Sequence, residues 1–532
     1  MVVAIFSADE LGGRQRAARL VSDGKAVRLA PGVFSDEVTR SPEEIVREQW
    51  RPIVGRLMAG AVITDRSGFD GLPHDGVLYV SHRRSRVVNL PGLVVLPRQG
   101  DGPLPGDTPL GDGLFQASEQ RALLDNLAPS RAVGGRPSRT LTRSELHDQV
   151  VRLVANRNQQ QQHRLLERVA KLGRLTSREA DAESVDVFFQ AARGERPTVS
   201  SDSPAMRAAQ SGAPYDEHRH QLFKAFASEL RARAPKVRPD PDGRLRSRFA
   251  PFFESYFSNY IEGTEFTVAE AAEISLEGVV PAGRPADAHD ILGTYRIVFD
   301  RQEMSTPLAS ADDFLDALKR RHAAVMEGRP EKHPGEFKSI ANRAGMTEFV
   351  TPAQVEGTLR SGWRLLEGLD DPFKRAAYMM FLVSEVHPFD DGNGRVARIM
   401  MNAELVSAEE TRIIIPTVLR ADYLSALSKL THHGRGDSLI NILDFAQQYT
   451  AQVDFSTVDS GVEDLGRTHA FVDALVAERE GIQLMLPSSV RKTWDVTPTS
   501  RQTTWTRRRD TGQPGNGGKF DGRERPDADV SL

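Results

Sequence analysis

Residues 371–406 read "DPFKRAAYMMFLVSEVHPFDDGNGRVARIMMNAELV" and carry the strongest structural pattern in the chain. Six consecutive apolar residues, Tyr378 to Val383, predict a helix buried on all sides, and Pro372 suits its first position. A second helix is predicted to begin at the glycines, because apolar residues recur at helical spacing after residue 394. The stretch therefore predicts two buried helices joined by a polar loop.

The loop has the composition of an anion site. Gly392 and Gly394 allow backbone N–H groups at a helix N-terminus to approach a ligand closely. Arg395 and Arg398 lie in the first turn, where a cation opposes the helix dipole by about 0.3–1 kcal/mol. A polyphosphate would compensate for both the free N–H groups and the two guanidiniums.

Two titratable side chains flank this predicted phosphate site. Asp391 could hold a magnesium ion that bridges phosphate oxygens. His387 ends one stripe of the first helix, where an imidazole could act as a general base, and we expect its pKa to need little adjustment for this role.

Other interpretations of the loop are a calcium site, a P-loop, or a helix-helix turn with solvated charges. An EF-hand would need Glu eleven residues after its first ligand, but Met401 and Asn402 occupy those positions after Asp390 and Asp391. The G-x-x-x-x-G-K-(S/T) pattern of a P-loop is absent from the chain. The solvated turn is the natural interpretation of a shorter piece such as "DGNG".

The stretch "HPFDDGNGRVAR" at residues 387–398 resembles the signature of the Fic family, H-P-F-x-(D/E)-G-N-G-R-x-x-R, at every constrained position. The resemblance extends over about Phe249 to Tyr449 and includes "PGEFK" at residues 334–338. It implies an all-helical core that transfers AMP from ATP to a hydroxyl of a target protein, with magnesium. Relatives that act as kinases carry Lys at the position of Gly394, so kinase activity is disfavoured.

The resemblance also implies roles for individual residues. His387 would deprotonate the acceptor hydroxyl, and Asp391 would ligate magnesium. Phe389 would anchor the loop in the core. Arg398 would bind the γ-phosphate. The remaining nucleotide-binding residues are Gly392, Asn393, Gly394 and Arg395.

A second motif, "SNYIEG" at Ser258 to Gly263, is similar to the inhibitory-helix motif of the family, (S/T)-x-x-x-E-(G/N). Ser258 and Glu262 lie four residues apart, which places them on one helical face. The resemblance implies that Glu262 pairs with Arg398 and occupies the place of the γ-phosphate. The enzyme would then be autoinhibited.

The resemblance leaves several activities open. Some relatives use the same glutamate to remove AMP from targets, and others take UTP, GTP or a choline-bearing nucleotide. A regulator that keeps the fold only as a scaffold would be expected to lose His387 or an arginine, and none is lost. The flap that aligns a target segment in this family is expected within residues 337–350, where Lys338, Asn342 and Arg343 are either contacts or solvated loop residues.

The N-terminal part is predicted to be a small α/β domain. A short helical pattern, a turn at Gly24 and a strand-like stretch are followed by the strand-like pieces GAVIT, GVLYVS and GLVVLP. The beginning resembles winged-helix antitoxin-type regulators, which would imply binding to DNA. This part also contains a cluster of basic residues, and such a cluster is commonly only a solvated face. Its members are Arg14, Arg16, Arg19, Lys25 and Arg28.

The predicted fold is mainly α, with an all-helical Fic core after the small α/β winged-helix-like domain. Thr142 and Glu145 have the spacing of a capping box at the start of a helix in the middle segment. The predicted boundaries are a winged-helix-like domain at 1–129, a helical connector and linker at 130–214 with a loop at 194–214, a Fic domain with its inhibitory helix at 215–455, a C-terminal helical extension at 456–497 and a disordered tail at 498–532.

Composition fits this organisation. The 532 residues are 39% hydrophobic and 27% charged, with a net charge of −4, which is typical of a globular protein and gives no global attraction to nucleic acid. There is no cysteine, so catalysis must use oxygen and nitrogen groups. We expect a cytoplasmic protein, because the chain has neither a leader-like start nor an apolar run long enough to span a membrane.

Overall fold

A computed structural model describes residues 4–195, 199–240, 247–345 and 347–492, and it divides the chain into two compact units, 1–214 and 215–532. The predicted disordered tail at 498–532 lies outside the described residues. Helices dominate the described part, which confirms the mainly α fold class. Among the described residues no helix is both long and apolar enough to cross a membrane.

The first unit begins with a small antiparallel sheet in the order β1-β3-β2, followed by a six-stranded sheet in the order β6-β7-β5-β4-β9-β8. In the larger sheet β5 is parallel to β7 and β4 is parallel to β9, whereas the other pairs are antiparallel. The elements are β1 (Ile5–Ser7), α1 (Arg14–Ser22), β2 (Val27–Ala30), β3 (Val33–Ser35), α2 (Pro42–Leu57), β4 (Val62–Ile63), β5 (Val77–His82), β6 (Val88–Leu90), β7 (Leu93–Gln99), β8 (Thr108–Gly111) and β9 (Leu114–Gln116).

Helix α2 supplies much of the core of this sheet region. Its Ile45, Ile53 and Val54 are fully buried and cluster with Leu78 and Val80 of β5. The three predicted strand-like pieces correspond to β4, β5 and β7. No sequence pattern predicted β1, β6, β8 or β9, since strands of three or four residues carry too short a pattern.

Helices complete the first unit: α3 (Glu119–Asp125), α4 (Arg143–Ala155), α5 (Gln159–Leu175), α6 (Glu179–Ala192) and α7 (Pro204–Gln210). The predicted capping box is confirmed, because Thr142 Oγ1 accepts from Glu145 N and Glu145 Oε2 accepts from Thr142 N. The interpretation of 194–214 as a loop is wrong in its second half. There Ser203 caps α7, Pro204 occupies its first turn, and Met206 is fully buried. Seven residues are too few to show a helical period.

In the part that the structure describes, the second unit is helical apart from one small hairpin. Its elements are α8 (Glu217–Ala232), α9 (Ala250–Ile261), α10 (Val268–Glu277), α11 (Pro285–Phe299), α12 (Arg301–Met304), α13 (Ala311–Val325), β10 (Arg343–Ala344), β11 (Thr347–Glu348), α14 (Val355–Trp363), α15 (Pro372–Val386), α16 (Asn393–Ser407), α17 (Arg420–His433), α18 (Asp437–Thr450), α19 (Val458–Arg467), α20 (Ala474–Glu480) and α21 (Pro487–Lys492).

Helix α15 forms the centre of the second unit. Every side chain from Ala376 to Val383 is fully buried, as the run of apolar residues predicted. Helix α16 packs against α15, and both belong to one large apolar cluster with α8, α13, α14 and α17. The polar loop between α15 and α16 is therefore held by two buried helices.

Candidate active site

The loop between α15 and α16 takes its shape from two residues with positive φ. His387 caps the C-terminus of α15 with a φ of 51°, and its backbone N–H donates to Val383 O at 3.0 Å. Pro388 cannot continue the helix. Gly392 begins α16 with a φ of 73°, where a residue with a side chain would be strained. The predicted starts of both helices, at Pro372 and at the glycines, are confirmed.

The imidazole of His387 is enclosed. It stacks on Phe349 with a centroid distance of 3.9 Å and an interplanar angle of 7°, and Nδ1 lies 3.4 Å from Ser384 O. Burial, together with the smaller effect of the charge of Lys338, lowers the pKa of His387 to about 3. The expectation of a nearly ordinary pKa was therefore wrong, because the sequence could not show this burial. The imidazole is neutral at neutral pH, as a proton acceptor must be.

Phe389 anchors the loop in the core. Its ring is buried and stacks parallel on His322 of α13, with centroids 3.7 Å apart. His322 Nε2 also donates to Asp391 O at 3.1 Å, and its Nδ1 accepts from Gly335 N at 2.9 Å. Burial lowers the pKa of His322 to about 4, so a neutral ring makes both bonds. Sequence analysis did not single out His322.

Asn393 stabilises the loop from within. Its Oδ1 accepts from Phe389 N and its Nδ2 donates to Phe389 O, both at 2.9 Å. Its amide is thus committed to the loop backbone in this structure. Contact between Asn393 and phosphate stays a prediction.

Helix α9 brings the second predicted motif onto Arg398, 136 residues away in sequence. Arg398 Nη2 donates to Glu262 Oε1 at 2.6 Å and to Ser258 O at 2.8 Å, while Nε donates to Ser258 Oγ at 3.0 Å. The side chains of both charged residues are buried. Gly263 does not reach Arg398; its φ of 86° turns the chain directly after α9.

The carboxylate of Glu262 also covers the N-terminus of α16. A β-carbon added at Gly394 would overlap Glu262 Oε1. No side chain caps α16, so its first N–H groups keep the donor capacity that suits an anion. Glu262 therefore stands where an anion would meet both these N–H groups and Arg398.

Arg395 is held by an acidic partner that the sequence did not reveal. Its Nη1 lies 2.8 Å from Oδ2 of Asp290 on α11, and both side chains are buried. Arg329 Nε donates to both carboxylate oxygens of Asp290, at 3.1 and 2.9 Å. Asp290 thus orients Arg395 beside the loop, and phosphate contact by Arg395 stays a prediction.

Asp391 is suited to a metal that arrives with a polyphosphate. Its carboxylate is partly exposed, and Oδ1 accepts from Gly392 N at 2.6 Å. The described residues contain no cluster of three His, Asp or Glu able to hold a metal unaided. Magnesium usually takes one or two carboxylates and completes its shell with water and phosphate oxygens. The residues present fit that mode of binding.

A short hairpin lies within the predicted flap segment. β10 pairs antiparallel with β11, with Arg343 opposite Glu348 and Ala344 opposite Thr347. Lys338 is not a solvated loop residue, since its side chain is buried and donates to His387 O at 2.7 Å, whereas its contact with a target segment stays a prediction. The sequence signal for Lys338 was the "PGEFK" stretch.

Comparisons with known proteins identify the kind of domain that contains this site. Residues 313–405 match the family model described as Fic/DOC family. This part covers α13 to α16 and includes the loop with His387. The chain therefore contains a Fic domain.

Individual relatives agree with this assignment. "Protein adenylyltransferase Fic" from Nematostella vectensis is 26% identical over 269 residues, which is 49% of this chain and 59% of the relative. "Protein adenylyltransferase fic-1" from Caenorhabditis elegans is 24% identical over 192 residues, covering 35% of this chain and 37% of the relative. The chain thus spans less than two thirds of the length of these relatives.

Solved structures with Fic domains are also similar to this chain. A fragment of Fic-1 from C. elegans has a TM-score of 0.35 at 19% identity, covering 59% of this chain and 97% of that one. A Fic domain containing signaling protein from Bacteroides thetaiotaomicron has a TM-score of 0.35 at 17% identity, covering 46% and 95%.

Proposed function

We propose that the chain is a protein adenylyltransferase, which transfers AMP from ATP to a hydroxyl side chain of a target protein, and that Glu262 inhibits it. The observation that supports the proposal is the buried ion pair of Glu262 with Arg398 at the uncapped N-terminus of α16, the helix that follows the loop with the neutral His387. A triphosphate carries the negative charge that Glu262 supplies to Arg398 in this structure. The names of the relatives agree with this activity.

The chemistry follows from the neutral imidazole. A backbone carbonyl can only accept, so the proton of His387 belongs on Nδ1, which faces Ser384 O, and Nε2 is left to accept the hydroxyl proton. The hydroxyl oxygen forms a bond to the α-phosphorus of ATP. The bond from that phosphorus to the bridging oxygen of pyrophosphate breaks, and pyrophosphate leaves.

The chain's cations and amides would position the phosphates for this step. Arg398 would bind the γ-phosphate after Glu262 withdraws, and Gly392, Gly394 and Arg395 would surround the other phosphates. Magnesium, held by Asp391, would supply charge neutralisation on the phosphate oxygens. With Glu262 in place, like charges repel and the α-phosphate is not aligned for attack.

Radiolabelled ATP tests the proposal directly. We expect Glu262→Gly to raise label incorporation at least tenfold over wild type, because it removes the carboxylate from Arg398. Adding His387→Ala should lower this rate by about 10²–10⁴, the usual contribution of a general base. Glu265→Gly is the matched control, since Glu265 is exposed three residues further on. Equal incorporation by wild type and Glu262→Gly, or no binding of ATP with magnesium to Glu262→Gly, would contradict the proposal.

DNA binding by the first unit is a second candidate. α1 exposes Arg14, Arg16 and Arg19 around the buried Ala17, and no ion pair among the described residues involves these three. If α1 binds phosphates, affinity of the full chain for duplex DNA should fall steeply with salt. Alanine at the three positions should weaken binding, whereas alanine at the exposed Arg164 and Arg168 of α5 should not. A flat salt response would favour a solvated face.

A cytoplasmic location completes the proposal. It is supported by the use of ATP and by the absence of cysteine from the chain, which suits a reducing compartment.

Removal of AMP from targets and use of another nucleotide are the alternatives within the same site. Loss of label from a target that already carries labelled AMP would identify removal of AMP, and incorporation of label from UTP or GTP would identify another nucleotide.

A further inference from the structure

Lys338 has a buried amine, and its direct partners among the described residues are all neutral. Its Nζ donates to Asn342 Oδ1 at 2.6 Å and to His387 O at 2.7 Å, and it lies 3.5 Å from Val386 O. It also lies 5.9 Å from the ring centroid of Phe349. Burial lowers the pKa of Lys338 to about 7, so the surroundings do not favour the charge.

Such an arrangement is costly for stability. A buried charge is normally paired with an opposite one, and an apolar side chain of similar length would avoid the desolvation. Strongly perturbed groups of this kind cluster at functional sites. The contacts of Lys338 join two segments, since His387 and Val386 belong to the catalytic loop and the end of α15, whereas Asn342 precedes the hairpin.

The hairpin has little stability of its own. Its β10 and β11 pair over only two residues each, and an isolated two-stranded hairpin is at best marginally stable in water. Further contacts to the catalytic loop hold it: Lys338 N donates to Pro388 O at 2.9 Å, Asn342 Nδ2 donates to Phe389 O at 2.9 Å, and Phe349 stacks on His387.

We propose that Lys338 is a positioning residue that fixes the hairpin to the catalytic loop through the carbonyl of His387. A target segment aligned by the hairpin then meets the imidazole at a set distance. The inference rests on the proposed function, because it assigns Lys338 a part in AMP transfer. Lys338 would affect the position of the acceptor hydroxyl, whereas Arg395 and Arg398 would bind the nucleotide.

The test compares Lys338→Met with its parent in the Glu262→Gly background. We expect the turnover number for self-modification to fall at least tenfold, while the KM for ATP and calorimetric ATP binding stay within twofold. Hydrogen exchange should quicken at 338–349 and stay unchanged in α15. Lys319→Met is the matched control. Its Nζ lies 4.4 Å from the ring centroid of Phe337, so it contacts the same segment without reaching the catalytic loop.

Each alternative result has a definite meaning. Unchanged turnover, unchanged exchange at 338–349, or an increase in KM without loss of turnover would overturn the role of Lys338. If Lys338→Met does not fold, Asn342→Ala decides, since it removes the side-chain partner of Nζ. The turnover number of Asn342→Ala should then fall at least threefold. An unchanged turnover number would overturn the inference. Failure of the parent to bind ATP would instead refute the proposed function.

Discussion

Several charged side chains are buried in the second unit, and most of them pair with a specific side chain of opposite charge. Arg398 is paired with Glu262, and Arg395 with Asp290. Removing one partner of a buried pair leaves an uncompensated charge, which costs more than the pair contributes. These residues are therefore sensitive positions for both stability and activity.

Asp290 provides the first prediction at this scale. We expect Asp290→Asn to lower the free energy of unfolding by about 3–5 kcal/mol, because Arg395 loses its buried carboxylate partner and Arg329 keeps only Asp287. Urea denaturation measures the change. Asp312→Asn is a suitable control, since its carboxylate is exposed although it also pairs with an arginine. Equal stability of Asp290→Asn and wild type would contradict the assigned role of Asp290.

Lys338 provides a prediction about pH. Burial lowers its pKa from 10.5 to about 7; the charge of Asp390 opposes this shift and that of Arg219 adds to it. Between these values the unfolded chain binds more protons, so the free energy of unfolding rises with pH. We expect the stability of wild type relative to Lys338→Met to increase by about 2 kcal/mol between pH 7 and pH 9. Urea denaturation at both pH values tests this, and a constant difference would refute it.

At the scale of elements, α9 is fixed to the second unit at several points along its length. Near its start Arg412 Nη1 donates to Glu254 Oε2 at 2.5 Å, and at its end Ser258 and Glu262 contact Arg398 on α16. Ser255 Oγ donates to Ile291 O of α11 at 2.9 Å. Relief of the proposed inhibition therefore requires movement of the Glu262 side chain or of the end of α9.

Ser258→Ala tests this arrangement. It removes the bond from Arg398 Nε to Ser258 Oγ but leaves Glu262 in place, so inhibition should weaken by about 1 kcal/mol. We expect AMP incorporation about two- to fivefold above wild type and well below Glu262→Gly. Ser255→Ala is the comparison, because its hydroxyl faces α11 rather than Arg398. A rate equal to that of Glu262→Gly would mean that Ser258, not the carboxylate, maintains the inhibition.

For the whole molecule, the predicted site residues lie in one of the two compact units. Glu262, His387 and Arg398 all belong to residues 215–532, whereas the basic helix α1 belongs to the first unit. The residues proposed to bind the nucleotide thus all belong to the second unit.

This division predicts which residues a bound nucleotide protects from hydrogen exchange. When ATP and magnesium are added to Glu262→Gly, hydrogen exchange should slow at 387–398 and stay unchanged over 4–195. Ligand binding stabilises the amides it contacts. The same measurement on wild type provides the control, with weaker protection at 398 while Glu262 is present. Protection within 4–195 would show that the first unit takes part in nucleotide binding.

The sequence by itself determined the buried helix α15, the start of α16 and the loop motif between them, because apolar runs, prolines and glycines act over a few neighbouring residues. It also paired Glu262 with Arg398 through a family resemblance. Only the tertiary structure decided that His387 is enclosed with a pKa of about 3, that Asp290 holds Arg395, and that Lys338 joins the hairpin to the loop. Burial and contacts between distant segments depend on how the helices pack, and no local pattern encodes them.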